Sequence, residues 1–187
     1  MIIGMGTTAT MTLTEFAALP DRPGKQELVK GELIAVPPPK TRHARIQRRV
    51  VEILSLYLKE HGGGEVFTKV GFEISTDSCL EPDVAYVTAE HLARTDPDGW
   101  FPGALALAVE ILSPANSAAE MDDKVRLYLG AGAATVCVIN PRRQRVTAYY
   151  GAGKFDTVEA ASNGVVRGPQ LFPGLNVPLA SLFEGLE

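Results

Sequence analysis

The sequence predicts a mixed α/β domain: a central mixed β-sheet flanked by helices, with an N-terminal helix and β-hairpin in front of it. Three observations carry this prediction. Segments alternating with the two-residue period of strands are interleaved with runs of helical period. The runs Ala104 to Leu112 and Ala134 to Ile139 are apolar on both faces, as central strands are, apart from one glutamate. A helical segment joins those two runs, which is the pattern of a parallel strand pair with its crossover. At 187 residues, 45% hydrophobic and 21% charged, the chain has the size and composition of one globular domain spanning 1–187.

The elements follow in order. Residues 1–11, rich in Thr, Gly and Met, have no period and are expected to form a loose terminus. Thr12 and Glu15 have capping-box spacing, and Leu13, Phe16 and Leu19 follow before Pro20, which predicts a helix of about two turns. Glu27 to Val29 and Glu32 to Val36, joined by Lys30 and Gly31, read as a hairpin. Pro37, Pro38 and Pro39 exclude helix, and Arg42 to His61 then places Ile46, Val50, Ile53, Leu54, Tyr57 and Leu58 on one helical face. Val66 to Ile74 alternates as a strand does, and a second strand is expected at Pro82 to Val87. Ser117 and Glu120 form another capping-box pair and open a helix to about Leu129. Arg145 to Tyr150 and Lys154 to Val158 read as an antiparallel pair, and Leu182 and Phe183 close the chain.

Composition narrows the function. Cys79 and Cys137 lie in different predicted strands without a CxxC spacing, which leaves no material for a disulfide framework or zinc knuckle. With no secretory leader or membrane span readable, a reducing cytoplasm is the expected setting. Eighteen basic against 22 acidic side chains give a net charge of −4, so any contact with nucleic acid must be local or supplied by a metal.

Three charges fall where apolar residues belong. Asp83 follows Pro82 at the start of a predicted strand, and Glu110 ends the apolar run containing Val109, Ile111 and Leu112. At 100° per residue, Lys124 shares the inward face of its helix with Met121, Val125 and Tyr128, whereas Asp122, Asp123 and Arg126 face outward. The spacing suits adjacent strands followed by a crossover helix, so all three could meet at one end of the sheet. Two carboxylates with carbonyl oxygen and water suit Mg²⁺, and a neighbouring lysine can orient a nucleophile or stabilise developing negative charge. The structural alternative is a partly buried ion-pair cluster without catalytic role.

These residues resemble the PD-(D/E)xK nuclease superfamily, and within it the Uma family of restriction endonucleases. The likeness runs from about Thr12 to Tyr150 and rests on the segments Glu27 to Leu33, His43 with its helix, Pro82-Asp83-Val84, Val109 to Pro114, and Lys124 with Tyr128-Leu129. It implies a restriction-endonuclease-like core with a four-stranded mixed sheet, cleavage of nucleic acid dependent on Mg²⁺ or Mn²⁺, and a metal held by Asp83, Glu110 and the carbonyl of Ile111. The residue two after Glu110 is Leu112 rather than lysine, and Lys124 resembles a migrated lysine of related families.

Glu27, Glu32 and His43 form a second tier. His43 lies on the core stripe near the start of its helix, where it can touch a phosphate or metal-bound water, with Gln47 as neighbour. Arg42, Arg45 and Arg49, with Lys40 and Arg48, make a basic helix start that could line a DNA phosphate rim, the alternative being a solvated helix face. The expected activity is metal-dependent endonucleolytic hydrolysis of DNA in preference to RNA. The competing reading is a catalytically silent module on the same scaffold that binds nucleic acid or protein. A carboxylate-pair glycosidase using Asp83 and Glu110 is disfavoured by 7% aromatic content and leaves the inward lysine unexplained. A homo-oligomer, such as a dimer, is expected from the apolar Trp100, Phe101 and Leu105 region and from the two sites that double-strand cleavage needs.

Overall fold

The computed structural model describes residues 10–20, 24–114, 116–168 and 170–186. Most of the expected loose terminus therefore lies outside the described residues, and Met11 is tied to the hairpin by its amide, which donates to the Gly31 carbonyl at 2.9 Å.

Helix α1 (Leu13–Ala17) starts on the complete capping box, with the Thr12 hydroxyl accepting from the Glu15 amide and the Glu15 carboxylate from the Thr12 amide; at five residues it is shorter than expected. Strands β1 (Lys25–Val29) and β2 (Glu32–Val36) pair antiparallel. Their turn uses left-handed Lys30 (φ 50°) and Gly31 (φ 78°), the twist a two-residue hairpin requires. Helix α2 (Thr41–His61) follows the three prolines and buries Ile46, Val50 and Leu54 of the predicted stripe.

The single strand expected over Val66 to Ile74 is instead two, β3 (Gly64–Phe67) and β4 (Phe72–Ser75), in different sheets. Lys69 between them takes φ 58°, and such a left-handed residue turns the chain although the polar/apolar alternation continues through it. The strand expected from Pro82 to Val87 forms as β6 (Val84–Thr88), starting two residues later, after Pro82 and Asp83; a short strand not read from the sequence, β5 (Ser78–Leu80), precedes it. Next come α3 (Ala89–Leu92), the two-residue β7 (Phe101–Pro102), the wholly buried β8 (Leu107–Ile111) and α4 (Ala118–Gly130), which opens on the Ser117–Glu120 capping box. Then β9 (Thr135–Asn140), β10 (Arg145–Tyr150) and β11 (Phe155–Glu159) form as read from the sequence. A hairpin of β12 (Val165–Gly168) and β13 (Phe172–Pro178) was not anticipated; α5 (Leu179–Phe183) follows and buries Leu182 and Phe183.

The main sheet has six strands in the order β11-β10-β9-β8-β6-β3, so the four-stranded core implied by the resemblance is extended at its edges. Within it β8 and β9 are the parallel pair joined through α4, and the other neighbours are antiparallel. A second sheet, β2-β1-β5-β4-β7, packs nearby. Alternation along β8 sends Leu107, Val109 and Ile111 toward Ile46, Val50 and Leu54 of α2 and toward α5. Ala108 faces the other way, toward Met121, Val125 and Tyr128 of α4 and Phe72 and Leu80 of the second sheet, and Glu110 shares that face.

The apolar stretch expected to bring two copies together is spent inside. Phe101 stacks on Phe72 with centroids 4.9 Å apart, Leu105 is buried, and Trp100 packs on Phe16 at 5.3 Å. No helix among the described residues is long and apolar enough to cross a membrane.

Candidate active site

Strands β6 and β8 are neighbours with Val84 facing Val109, so one register step further brings Asp83 beside Glu110 at one end of the sheet. Asp83 sits in the bend before β6, and each part of it is tied down. Its Oδ2 accepts the Ile111 amide at 2.7 Å and lies 3.0 Å from His43 Nε2, and its carbonyl accepts Gln47 Nε2 at 2.7 Å. His43 and Gln47 are one turn apart on α2, which makes that helix a two-point clamp on the Asp83 segment. A carboxylate can only accept, so Nε2 carries the proton of this bond, and His43 Nδ1 is left buried without a partner among the described residues.

Glu110 is 4% exposed. Its Oε1 accepts the Tyr128 hydroxyl at 2.9 Å and the Lys124 ammonium at 3.3 Å, both donors reaching in from α4. Lys124 Nζ also lies 2.7 and 2.9 Å from the two oxygens of Glu27, a β1 residue only 1% exposed. Glu27 Oε1 in turn accepts the Glu81 amide at 3.0 Å and is 3.4 Å from Lys25 Nζ, while Lys25 donates to the Glu81 carbonyl.

The electrostatics follow from this crowding. Burial pushes the Glu110 carboxyl above its ordinary range, a rise that the Lys124 charge only partly offsets. Burial acts the same way on Asp83, but the hydrogen bond to His43, helped by the Lys25 charge and the Ile111 amide, outweighs it and holds Asp83 below the usual carboxylate range. Burial alone would discharge Lys124; Glu110 and Glu27 more than compensate, and the ammonium stays protonated. Burial and the adjacent carboxylates keep the Tyr128 phenol protonated as well.

Of the residues singled out in the sequence, Asp83, Glu110, Lys124 and His43 come together, and Lys124 faces inward as its helical position predicts. Glu32 does not join them: it begins β2 opposite Val29, exposed and without a contact to the cluster. Glu27 takes the place instead, and its sequence signal was weak because a lone glutamate in a short strand looks like any edge residue. Of the arginines, Arg45 donates to the Gly185 carbonyl at 2.7 Å, and Arg49 donates to the Leu182 and Glu184 carbonyls at 2.9 and 2.7 Å. Those two close the chain's end after α5 rather than presenting a free phosphate rim, because the last carbonyls of a helix need donors. Arg48 pairs with Glu52, and Arg42 is exposed, with no partner among the described residues.

A family model described as "Putative restriction endonuclease", Uma2, matches residues 13–180. The chain belongs to the Uma2 family. No protein with a curated description matches it. Among solved structures, the Uma2 chain resembles a protein from Anabaena variabilis described as "a putative nuclease belonging to DUF820", with a TM-score of 0.83, 24% identity, and coverage of 95% of this chain and 99% of that one. At that identity the likeness establishes the shared mixed α/β fold. The family description is that of a nuclease, a hydrolase acting on nucleic acid.

A divalent cation fits the donor chemistry of this Uma2 site. Asp83 Oδ1 and Glu110 Oε2 accept no hydrogen bond from another described residue, whereas their sister oxygens are occupied by protein donors. Among the described residues no group of three or more His, Cys, Asp or Glu side chains is arranged around a metal position. A two-carboxylate site suits Mg²⁺, which binds through one or two carboxylates and keeps several waters.

Proposed function

We propose that this Uma2 protein is a divalent-metal-dependent endonuclease that hydrolyses phosphodiester bonds in DNA. Asp83 and Glu110, with the Ile111 carbonyl, hold Mg²⁺ or Mn²⁺, and Lys124 is the cationic group beside the reacting phosphate. The observation that carries this reading is a buried, protonated lysine in contact with Glu110, which stands beside Asp83, each of these two carboxylates having one oxygen that accepts no hydrogen bond from another described residue. The family's description as a restriction endonuclease supports DNA over RNA.

The bound ion supplies activation of water and neutralisation of phosphate charge. The chain does the rest. The Ile111 amide and His43 hold one oxygen of Asp83, leaving the other without a hydrogen bond from a described residue, and Tyr128 and Lys124 do the same for Glu110. Lys124 holds a proton and a positive charge at Nζ, which suits it to orient a water or stabilise the pentacovalent phosphate rather than to act as a base at neutral pH. Arg42, exposed at the start of α2, is the arginine of its cluster left to meet the backbone of a bound strand.

The test is calorimetric titration of Mn²⁺ into the wild type and Asp83→Asn, followed by incubation of both with supercoiled DNA and with a structured RNA. Binding that is lost in the variant, with nicking of DNA by the wild type alone, is the expected result. Mn²⁺ binding without cleavage of either nucleic acid would turn the reading toward an interaction module, and no binding at millimolar Mn²⁺ would refute the metal site.

A further inference from the structure

We propose that Glu27 is a positioning residue that holds the Lys124 ammonium beside Glu110, so that Glu110 keeps one oxygen open for a divalent cation. The inference rests on the reading of Asp83 and Glu110 as metal ligands.

An ammonium has three donors, and their distribution here is uneven. Lys124 Nζ is 2.7 and 2.9 Å from the two oxygens of Glu27 and 3.3 Å from a single oxygen of Glu110. The lysine is thus anchored on Glu27 and leans on Glu110. The oxygen of Glu110 it leans on, Oε1, is the one that Tyr128 also occupies, one turn further along α4. Helix α4 therefore delivers both of its donors to Oε1 and leaves Oε2 alone.

Glu27 is able to hold the lysine because it is itself fixed from elsewhere. It stands on β1 of the second sheet, is 1% exposed, and is bonded by the Glu81 amide two residues before Asp83, with Lys25 at 3.4 Å. Its strand belongs to a different sheet from β8, which carries Glu110. A buried lysine deprived of Glu27 would keep Glu110 as its one close anionic partner, since Asp83 is already engaged by His43 and the Ile111 amide. In that low-dielectric setting the ammonium would settle on both oxygens of Glu110, taking the place that a metal ion needs. Glu27 accordingly separates two cations that would otherwise compete for one carboxylate.

The experiment is a cycle of four proteins, wild type, Glu27→Gln, Lys124→Met and the double variant, each titrated calorimetrically with Mn²⁺ alone. Glu27→Gln is expected to weaken Mn²⁺ binding about 10- to 100-fold, the usual cost of losing a supporting contact around a metal ligand. Lys124→Met is expected to bind at least as tightly as the wild type, and adding Glu27→Gln to it should change nothing. Glu27→Asp, which withdraws the carboxylate by one methylene, should fall between and serves if the glutamine variant fails to fold. An equal loss on Glu27→Gln with or without Lys124 would mean that Glu27 acts on the ion directly, and no loss in either would mean that Lys124 does not need it; both overturn the proposal while leaving the metal site standing. Failure of the wild type to bind Mn²⁺ would overturn both readings together.

Discussion

Replacing Lys124 with methionine should destabilise the metal-free protein by roughly 3 kcal/mol at neutral pH, toward the lower end of the 3–5 kcal/mol typical of removing one partner from a buried ion pair. Each Lys124–carboxylate contact, at separations of 2.7 to 3.3 Å, is worth on the order of 5 kcal/mol before desolvation at an effective dielectric of about 20. Burial of the ammonium consumes much of this, and Glu27 retains Lys25 after the substitution, which limits the loss. For a domain of this length the shift in Tm is about 6–12 °C. The deficit depends on pH with a defined sign. Burial already raises Glu110 above its ordinary 4.5, and loss of the ammonium raises it further. A group whose folded value is raised contributes stability that is present below its unfolded value and lost as pH rises through the folded one. The variant should therefore approach wild-type stability near pH 4.5 and fall behind it toward neutrality. Urea denaturation at several pH values measures this directly. A loss below about 1 kcal/mol that does not vary with pH is the behaviour of a solvated surface pair and would refute the desolvated cluster.

Tyr128→Phe removes a buried hydroxyl donor from Glu110 Oε1 and should cost about 1–3 kcal/mol in urea denaturation without changing the helix content seen by circular dichroism. Because Glu110 is raised above 4.5 and must lose its proton to bind a cation, Mn²⁺ affinity should increase as pH rises above that value; calorimetry in buffers of different ionisation enthalpy should register the proton released. Arg49→Ala leaves the Leu182 and Glu184 carbonyls without their donor and should lower stability by about 1–3 kcal/mol with DNA affinity unchanged. Arg42→Ala should instead keep stability and weaken DNA binding, reducing the salt-dependence slope by about 1.

The parts of the fold that were legible in the sequence are those where local chemistry and burial agree. The two capping boxes, the Lys30-Gly31 turn and the apolar face of α2 each encode their geometry within a few residues. Lys124 was legible for the same reason: its angle on α4 is a local property, and a charge on an apolar face signals a buried partner. The division of Val66 to Ile74 between two sheets was not legible, because alternation reports that residues are extended and says nothing about which sheet receives them. The ends of Arg45 and Arg49 were hidden likewise, since their acceptors lie 140 and about 135 residues away in sequence. Glu27 was named with Glu32 and His43, yet nothing local separates two glutamates five positions apart in one hairpin. What separates them is the partner each strand meets, with Leu28 of β1 paired to Cys79 of β5 and Glu32 on the outer strand of that sheet.

In the proposed site, a lysine carried by α4 rather than by the strand of Glu110 accounts for the third carboxylate. Leu112, two residues after Glu110 and so on the same side of the strand direction, packs with the apolar cluster beneath α4. A lysine at that position would be carried by the same strand as Glu110, and the strand's own geometry would set the distance between them. A lysine on α4 has no such constraint, because helix packing against a sheet fixes backbone separation but leaves a four-carbon side chain free to choose its partner. Its nearest unscreened anion would be Glu110, the carboxylate that most needs to stay open. Glu27, brought in by a strand of the other sheet and fastened to the Asp83 segment through Glu81, supplies the distance that the strand would otherwise have supplied. On the proposed reading, Leu112 two residues after Glu110 and the buried glutamate of β1 belong to one structural solution.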